Sequence, residues 1–209
     1  MTYSVKEMYF TLQGEGAQTG RAAIFLRFAG CNLWTGLERD RSAAVCRFCD
    51  TNFVGTDGLG GGKFTSPNEL AQAVASKWSD GGRPYVVCTG GEPLLQLDEA
   101  AISALHAKGF EVGVETNGTQ LPPFGLDWVC VSPKAEAELV LTHGDELKLV
   151  YPQVGAEPER YADLEFAHFF VQPMDNAQRA ANTAAAIEYC KSNPKWRLSL
   201  QIHKLVGIP

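Results

Sequence analysis

Three largely apolar runs, at residues 22–28, 85–88 and 110–115, alternate with stretches of helical periodicity, and this alternation constrains the fold of the 209-residue chain more than any other feature. Apolar runs without a polar face read as strands buried on both sides. Between the first two, Ser66-Pro67-Asn68-Glu69 forms a capping box with proline at the first helical position. Leu70, Ala73, Val74 and Trp78 then share one face, which predicts a helix to about residue 79. A second helix places Ala101, Ile102 and Leu105 inward and stops at Gly109. Strand, helix, strand, helix, strand gives right-handed parallel βαβ units, whose ligands gather at the carboxyl ends of the strands.

Further strands are predicted at residues 128–131, 147–151, 168–172 and 197–202. The intervals 116–127, 132–146 and 152–167 hold prolines and glycines with little helical period, so at least two crossovers should lack a full helix. A last helix is capped by Asp175-Asn176-Ala177-Gln178 and buries Ala184, Ile187 and Cys190. Gly58 to Gly62 reads as a surface turn. The expected architecture is α/β: one domain, residues 1–209, forming an abbreviated TIM-like barrel of about six core parallel strands and three long helices.

Directly after the first strand come Cys31, Cys46 and Cys49, with fourteen residues in the first gap and two in the second. Three close thiolates suit iron–sulfur or zinc chemistry. A structural zinc site wants four protein ligands, and the nearest histidine, His106, is far away in sequence. An incomplete set implies an open metal position, which a catalytic metal keeps for a small molecule. A net charge of −6 excludes a general grip on nucleic acid phosphates. There is no run of eighteen apolar residues and no basic leader ahead of an apolar one, so no membrane partner is expected and the cytoplasm is the expected location. In that reducing setting the cysteines are ligands and core thiols rather than disulfides, with Cys88, Cys130 and Cys190 in the core.

Polar residues converge on the strand ends: Arg27, Thr89-Gly90-Gly91-Glu92, Glu115-Thr116-Asn117, Ser132-Pro133-Lys134, Gln172-Pro173-Met174-Asp175 and His203. Arg27 breaks an apolar run and must find a partner, either a structural ion pair or an anionic ligand. Lys134 is either a solvated lysine or a ligand contact. The hydroxyl of Thr51 is a hard donor that either caps the loop or holds Mg²⁺ together with substrate. The mostly apolar tail from Lys204 to Pro209 is expected to fold over the mouth, bringing His203 and the Pro209 carboxylate to the site.

The cysteine loop resembles that of the radical S-adenosylmethionine (SAM) enzymes, although its first gap is expanded. Further support comes from Phe10-Thr11-Leu12-Gln13-Gly14-Glu15-Gly16, Cys46-Arg47-Phe48-Cys49-Asp50-Thr51, Thr89-Gly90-Gly91-Glu92-Pro93, Glu115-Thr116-Asn117-Gly118 and Ser132-Pro133-Lys134. The set is similar to the branch that converts 6-carboxytetrahydropterin to 7-carboxy-7-deazaguanine with loss of ammonia, in queuosine biosynthesis. The resemblance implies a [4Fe–4S] cluster on Cys31, Cys46 and Cys49. It implies SAM among Phe48, Asp50, Gly91, Ser132, Pro133, Lys134, Gln172 and Asp175. The pterin would face Leu12, Gln13, Gly14, Arg27, Thr89, Glu115, His203 and Pro209. An electron donor such as flavodoxin or ferredoxin is implied, and the chain is either a monomer or a homodimer. Two rival readings are a small radical SAM activase acting on a partner protein and a non-catalytic iron–sulfur or zinc module.

Overall fold

The computed structural model describes residues 2–79 and 81–209. Its strands are β1 (Tyr3–Leu12), β2 (Ala22–Phe28), β3 (Gly62–Phe64), β4 (Tyr85–Gly90), β5 (Glu111–Thr116), β6 (Trp128–Val131), β7 (His143–Tyr151), β8 (Glu165–Pro173) and β9 (Trp196–Leu198). Four helices accompany them: α1 (Pro67–Ala75), α2 (Glu99–His106), α3 (Arg179–Ser192) and the short α4 (Ile202–Val206). The strands form one open sheet in the order β3-β1-β2-β4-β5-β6-β7-β8-β9. From β2 to β9 every pairing is parallel, while β1 runs antiparallel to β2 and β3. The architecture is thus the expected partial barrel. Its parallel core holds six strands plus the three-residue β9, with three helices of eight residues or more. Among the described residues no helix is long and apolar enough to cross a membrane.

The strands that read as continuous apolar runs are those buried on both faces. Ile24, Leu26, Phe28, Val86 and Cys88 pack against Leu70, Val74, Ile102 and Leu105 of α1 and α2. Each such side chain contributes about 1.5–3 kcal/mol on burial. A second cluster, with Leu147, Leu149, Phe169, Val171, Ala186 and Trp196, fills the space under β7, β8 and α3. Local signals fix the helix starts: Ser66 Oγ accepts from Glu69 N at 3.2 Å, and Asp98 Oδ1 accepts from Ala101 N at 2.9 Å.

Several boundaries differ from expectation. The chain leaves α1 at Ala75, not near residue 79, yet Trp78 still packs edge-on against Phe10 and Phe110. A strand absent from the sequence reading, β1, occupies Tyr3–Leu12 ahead of β2. Residues 58–61 do form the expected surface turn, closed by Gly61 N donating to Gly58 O at 2.9 Å with Leu59 exposed, but it packs closely on β1, where a Cβ on Gly61 would lie 2.2 Å from Lys6 O, and Gly62 begins β3. The crossovers β5–β6, β6–β7 and β7–β8 all lack an α-helix. On α3 the N-cap is Gln178 without a side-chain cap bond, and the end is held by Asn176 Oδ1, which accepts from Gln178 N and Asn182 Nδ2. Its buried face is Asn182 and Ala186, with Tyr189 and Cys190 beside them, whereas Ala184 and Ile187 are exposed. The last strand ends at Leu198, so residue 202 starts a helix rather than closing a strand.

Candidate active site

A cavity of about 480 Å³ opens at the carboxyl ends of the parallel strands. Cys31, Cys46 and Cys49 all line it, as do Phe48, Asp50 and Thr51. The fourteen-residue gap between Cys31 and Cys46 folds into a short 3₁₀ turn at Glu38–Ala43 over a small core of Trp34, Ala44 and Phe53, against which Cys31 and Cys49 pack. Arg41 fixes this module: its guanidinium lies 4.0 Å from the Trp34 ring centre and donates to Arg47 O and Cys49 O at 3.0 Å. On the other side of Cys31 stands Gly91, where a Cβ would meet Gly30 O at 2.2 Å and Cys31 Cβ at 2.7 Å. Glycine there lets the end of β4 approach the cysteine loop closely.

The thiols are not equivalent. A hydrogen bond from Cys46 and another from the Thr51 backbone outweigh burial and bring Cys49 down to about 6, while sharing that bond pushes Cys46 up. Burial raises Cys31. Three thiols that line one cavity are a soft donor set of the kind that holds an iron–sulfur group.

The wall next to the cysteines is built from β4, β6 and β8. Lys134 Nζ donates to Ser132 O at 2.6 Å and Ser132 Oγ at 2.8 Å, and its desolvation pushes its pKa down. Gln172 accepts from Ser199 Oγ at 2.8 Å. Two expectations need correction. Pro133 does not line the cavity; it is buried, and its carbonyl accepts from Gln153 Nε2. Glu92, at the end of the Gly-Gly-Glu turn, also points away: fully buried, it accepts from Thr116 Oγ1, Asn117 N and Leu94 N, all within 2.9 Å. It splices the end of β4 to that of β5, and burial raises its pKa. Only the Gly90-Gly91 backbone reaches the cavity.

The opposite wall holds Leu12, Gln13, Arg27, Thr89 and Glu115. Glu115 accepts from Gln13 Nε2 at 3.1 Å and from Thr89 Oγ1 at 3.4 Å. Arg27 is ion-paired: Nε donates to Glu7 at 2.8 Å and Nη2 to Tyr9 Oη at 3.1 Å. Gly14 falls behind the wall, where a Cβ would lie 2.4 Å from His203 Nδ1 and where its carbonyl accepts from Ile202 N. The tail does fold over the mouth. Thr11 Oγ1 donates to Pro209 O at 2.9 Å, and His203 and Pro209 line the cavity, although His203 is presented by α4 and not by the end of a strand.

Sequence reasoning missed the strongest electrostatic feature. Lys148 on β7 is buried in the wall, 2.7 Å from Glu15 and 3.2 Å from Glu115. Burial alone would lower its pKa, but Cys130, Glu115, Glu15 and Glu146 outweigh it and raise it. Glu15, where Lys148 outweighs the effect of burial, is brought down to about 2. The signal was present: Lys148 interrupts Leu147 and Leu149 as Arg27 interrupts Leu26 and Phe28. Lys204 was missed too. It donates to Asp50 and Asp175, both at 2.6 Å.

A partial parallel barrel with three cysteines and a glycine turn at the carboxyl rim defines the radical SAM class. Residues 41–144 match the family model for the radical SAM superfamily, a stretch that takes in Cys46 and Cys49 and starts after Cys31. The chain is 62% identical over 210 residues to 7-carboxy-7-deazaguanine synthase of Caulobacter vibrioides and 63% identical over 210 residues to that of Bordetella pertussis, in both cases covering 100% of each protein. It also matches the crystal structure of QueE from Escherichia coli with a TM-score of 0.72 at 29% identity, covering 96% of this chain and 94% of that one. The chain belongs to the 7-carboxy-7-deazaguanine synthase family.

Proposed function

We propose that this chain is a radical SAM lyase that converts 6-carboxytetrahydropterin to 7-carboxy-7-deazaguanine with loss of ammonia, in queuosine biosynthesis. The observation that carries the reading is the convergence of Cys31, Cys46 and Cys49 with the Glu115–Lys148–Glu15 network and Arg27 on one cavity. When bound, a reduced [4Fe–4S] cluster and SAM supply the one-electron cleavage and the hydrogen-atom abstraction at C6 of the pterin.

The protein's own task is to hold, orient and keep dry. Phe48, Asp50, Gly91, Ser132, Lys134, Gln172 and Asp175 form the SAM side of the cavity. On the other side Lys148 holds Glu15 well below the usual carboxylate range and pairs with Glu115, so that acceptors stand ready for the donor-rich 2-amino edge of a pterin. The Nη1 group of Arg27 has no protein partner among the described residues and serves the substrate carboxylate. Thr51 lines the same cavity, and its hydroxyl would hold Mg²⁺ together with that carboxylate. His203 and Pro209 close the mouth. A low-potential donor such as flavodoxin or ferredoxin supplies the electron, in the cytoplasm, and sizing of the reconstituted protein tests the homodimer.

The test is anaerobic incubation with SAM, dithionite and 6-carboxytetrahydropterin. The wild type should yield 7-carboxy-7-deazaguanine, and alanine at Cys31, Cys46 or Cys49 should abolish both cluster and SAM cleavage. A cysteine variant that keeps a full cluster and cleaves SAM contradicts the ligand assignment.

A further inference from the structure

Lys204 stands between the two halves of the cavity. Its ammonium has three N–H donors, and three acceptors take them: Asp50 Oδ2 and Asp175 Oδ2 at 2.6 Å each, and Gln201 Oε1 at 3.1 Å. Asp50 follows the last cluster cysteine, and Asp175 follows β8. These two carboxylates, far apart in sequence, meet at one cation carried by the tail.

The tail itself is held by polar contacts. Helix α4 has five residues, too few to be stable alone, and Leu205 and Val206 are more than 60% exposed, so little apolar burial fixes it. On the substrate side it is anchored by Ile202 N to Gly14 O at 3.0 Å, Gln201 Nε2 to Glu15 Oε1 at 3.0 Å, and Thr11 Oγ1 to Pro209 O at 2.9 Å. Among the described residues Lys204 makes the only hydrogen bond between this tail and the cysteine loop. One short segment therefore touches the pterin wall through His203 and Pro209 and the SAM wall through Lys204.

We propose that Lys204 is a positioning residue that ties the tail to the SAM side of the cavity, so that SAM and the pterin bind cooperatively. This rests on the function proposed above. Whichever ligand binds first orders the tail and the two carboxylates together, and the second meets a site already set. Coupling of this kind is reciprocal, so each ligand must tighten the other by the same factor.

The test is anaerobic equilibrium dialysis of the cluster-loaded protein without reductant, using SAM and the unreactive oxidised probe 6-carboxypterin. In the wild type, saturating 6-carboxypterin should tighten SAM by roughly fivefold or more, and the converse should hold. In Lys204→Met, with iron content and circular dichroism as controls, the factor should fall below about two, while Lys204→Arg should retain it. Amide exchange at residues 202 and 208 should also speed up in Lys204→Met. A reading that needs no variant is the wild type at about 0.5 M KCl, where screening of these half-exposed pairs should weaken the coupling. Lys204→Met with wild-type coupling overturns the proposal, as does weakened binding of both ligands with coupling unchanged. Wild type that binds both ligands independently overturns it and leaves the function standing; wild type that binds neither overturns both.

Discussion

Replacing Lys148 by methionine removes the one cation from a buried cluster of acids while keeping the length of the side chain. Glu15 is brought from 4.5 to about 2 chiefly by Lys148 against the opposing effect of burial, and its side chain is only 15% exposed. At about 1.4 kcal/mol per pKa unit, that depression corresponds to roughly 3 kcal/mol, at the low end of the 3–5 kcal/mol that loss of one partner from a buried pair costs. For a chain of this size each kcal/mol shifts the melting temperature by about 2–4 °C, so Lys148→Met should melt roughly 6–12 °C below wild type. The pH dependence has a definite sign. Because the folded pKa of Glu15 is depressed, its contribution is present above pH 4.5 and is lost as the pH falls towards 2. In the variant, Glu15 loses the cation that outweighs its burial and so favours the proton, and the deficit should be largest at pH 8 and narrow towards pH 5. Thermal melts by circular dichroism on anaerobically loaded protein at both pH values measure this. A drop of less than about 2 °C that is the same at both pH values would refute the reasoning.

Other outcomes follow from the same geometry. Gly91→Ala puts a Cβ against rigid backbone and Cys31, so it should cost about 1–3 kcal/mol and weaken SAM binding roughly tenfold; wild-type affinity by dialysis would contradict the close packing. A few residues inserted directly after Pro209 crowd the mouth it closes without touching the core and should lower pterin affinity roughly ten- to a hundredfold, with SAM cleavage intact. Turnover of the wild type should rise with added Mg²⁺ and that of Thr51→Ala should not, and an equal response in both proteins means that Thr51 is no ligand.

What the sequence made legible follows physical lines. The parallel half of the sheet was readable because β2, β4 and β5 are apolar on both faces and α1 and α2 carry caps and stripes. Strand β1 was not, since its buried positions, such as Tyr3, Met8 and Lys6, are mixed in character. The face of α3 was misread because its alanines offer no contrast, so only tertiary packing tells buried Ala186 from exposed Ala184. Pro133 was carried along with its neighbours, although backbone direction turns it into the core. Lys148 carried a local signal, a charge between Leu147 and Leu149, but its partners lie more than twenty residues away, and so do the carboxylates that meet Lys204.

The central claim is that one cavity joins the cysteine triad to a pterin site and performs the ring contraction. The most direct measurement is a single anaerobic turnover with SAM, dithionite and 6-carboxytetrahydropterin deuterated at C6, with mass analysis of both products. The account predicts deuterium in 5′-deoxyadenosine together with 7-carboxy-7-deazaguanine and ammonia. SAM cleavage without deuterium transfer, or deuterium transfer without the deazaguanine, would contradict it.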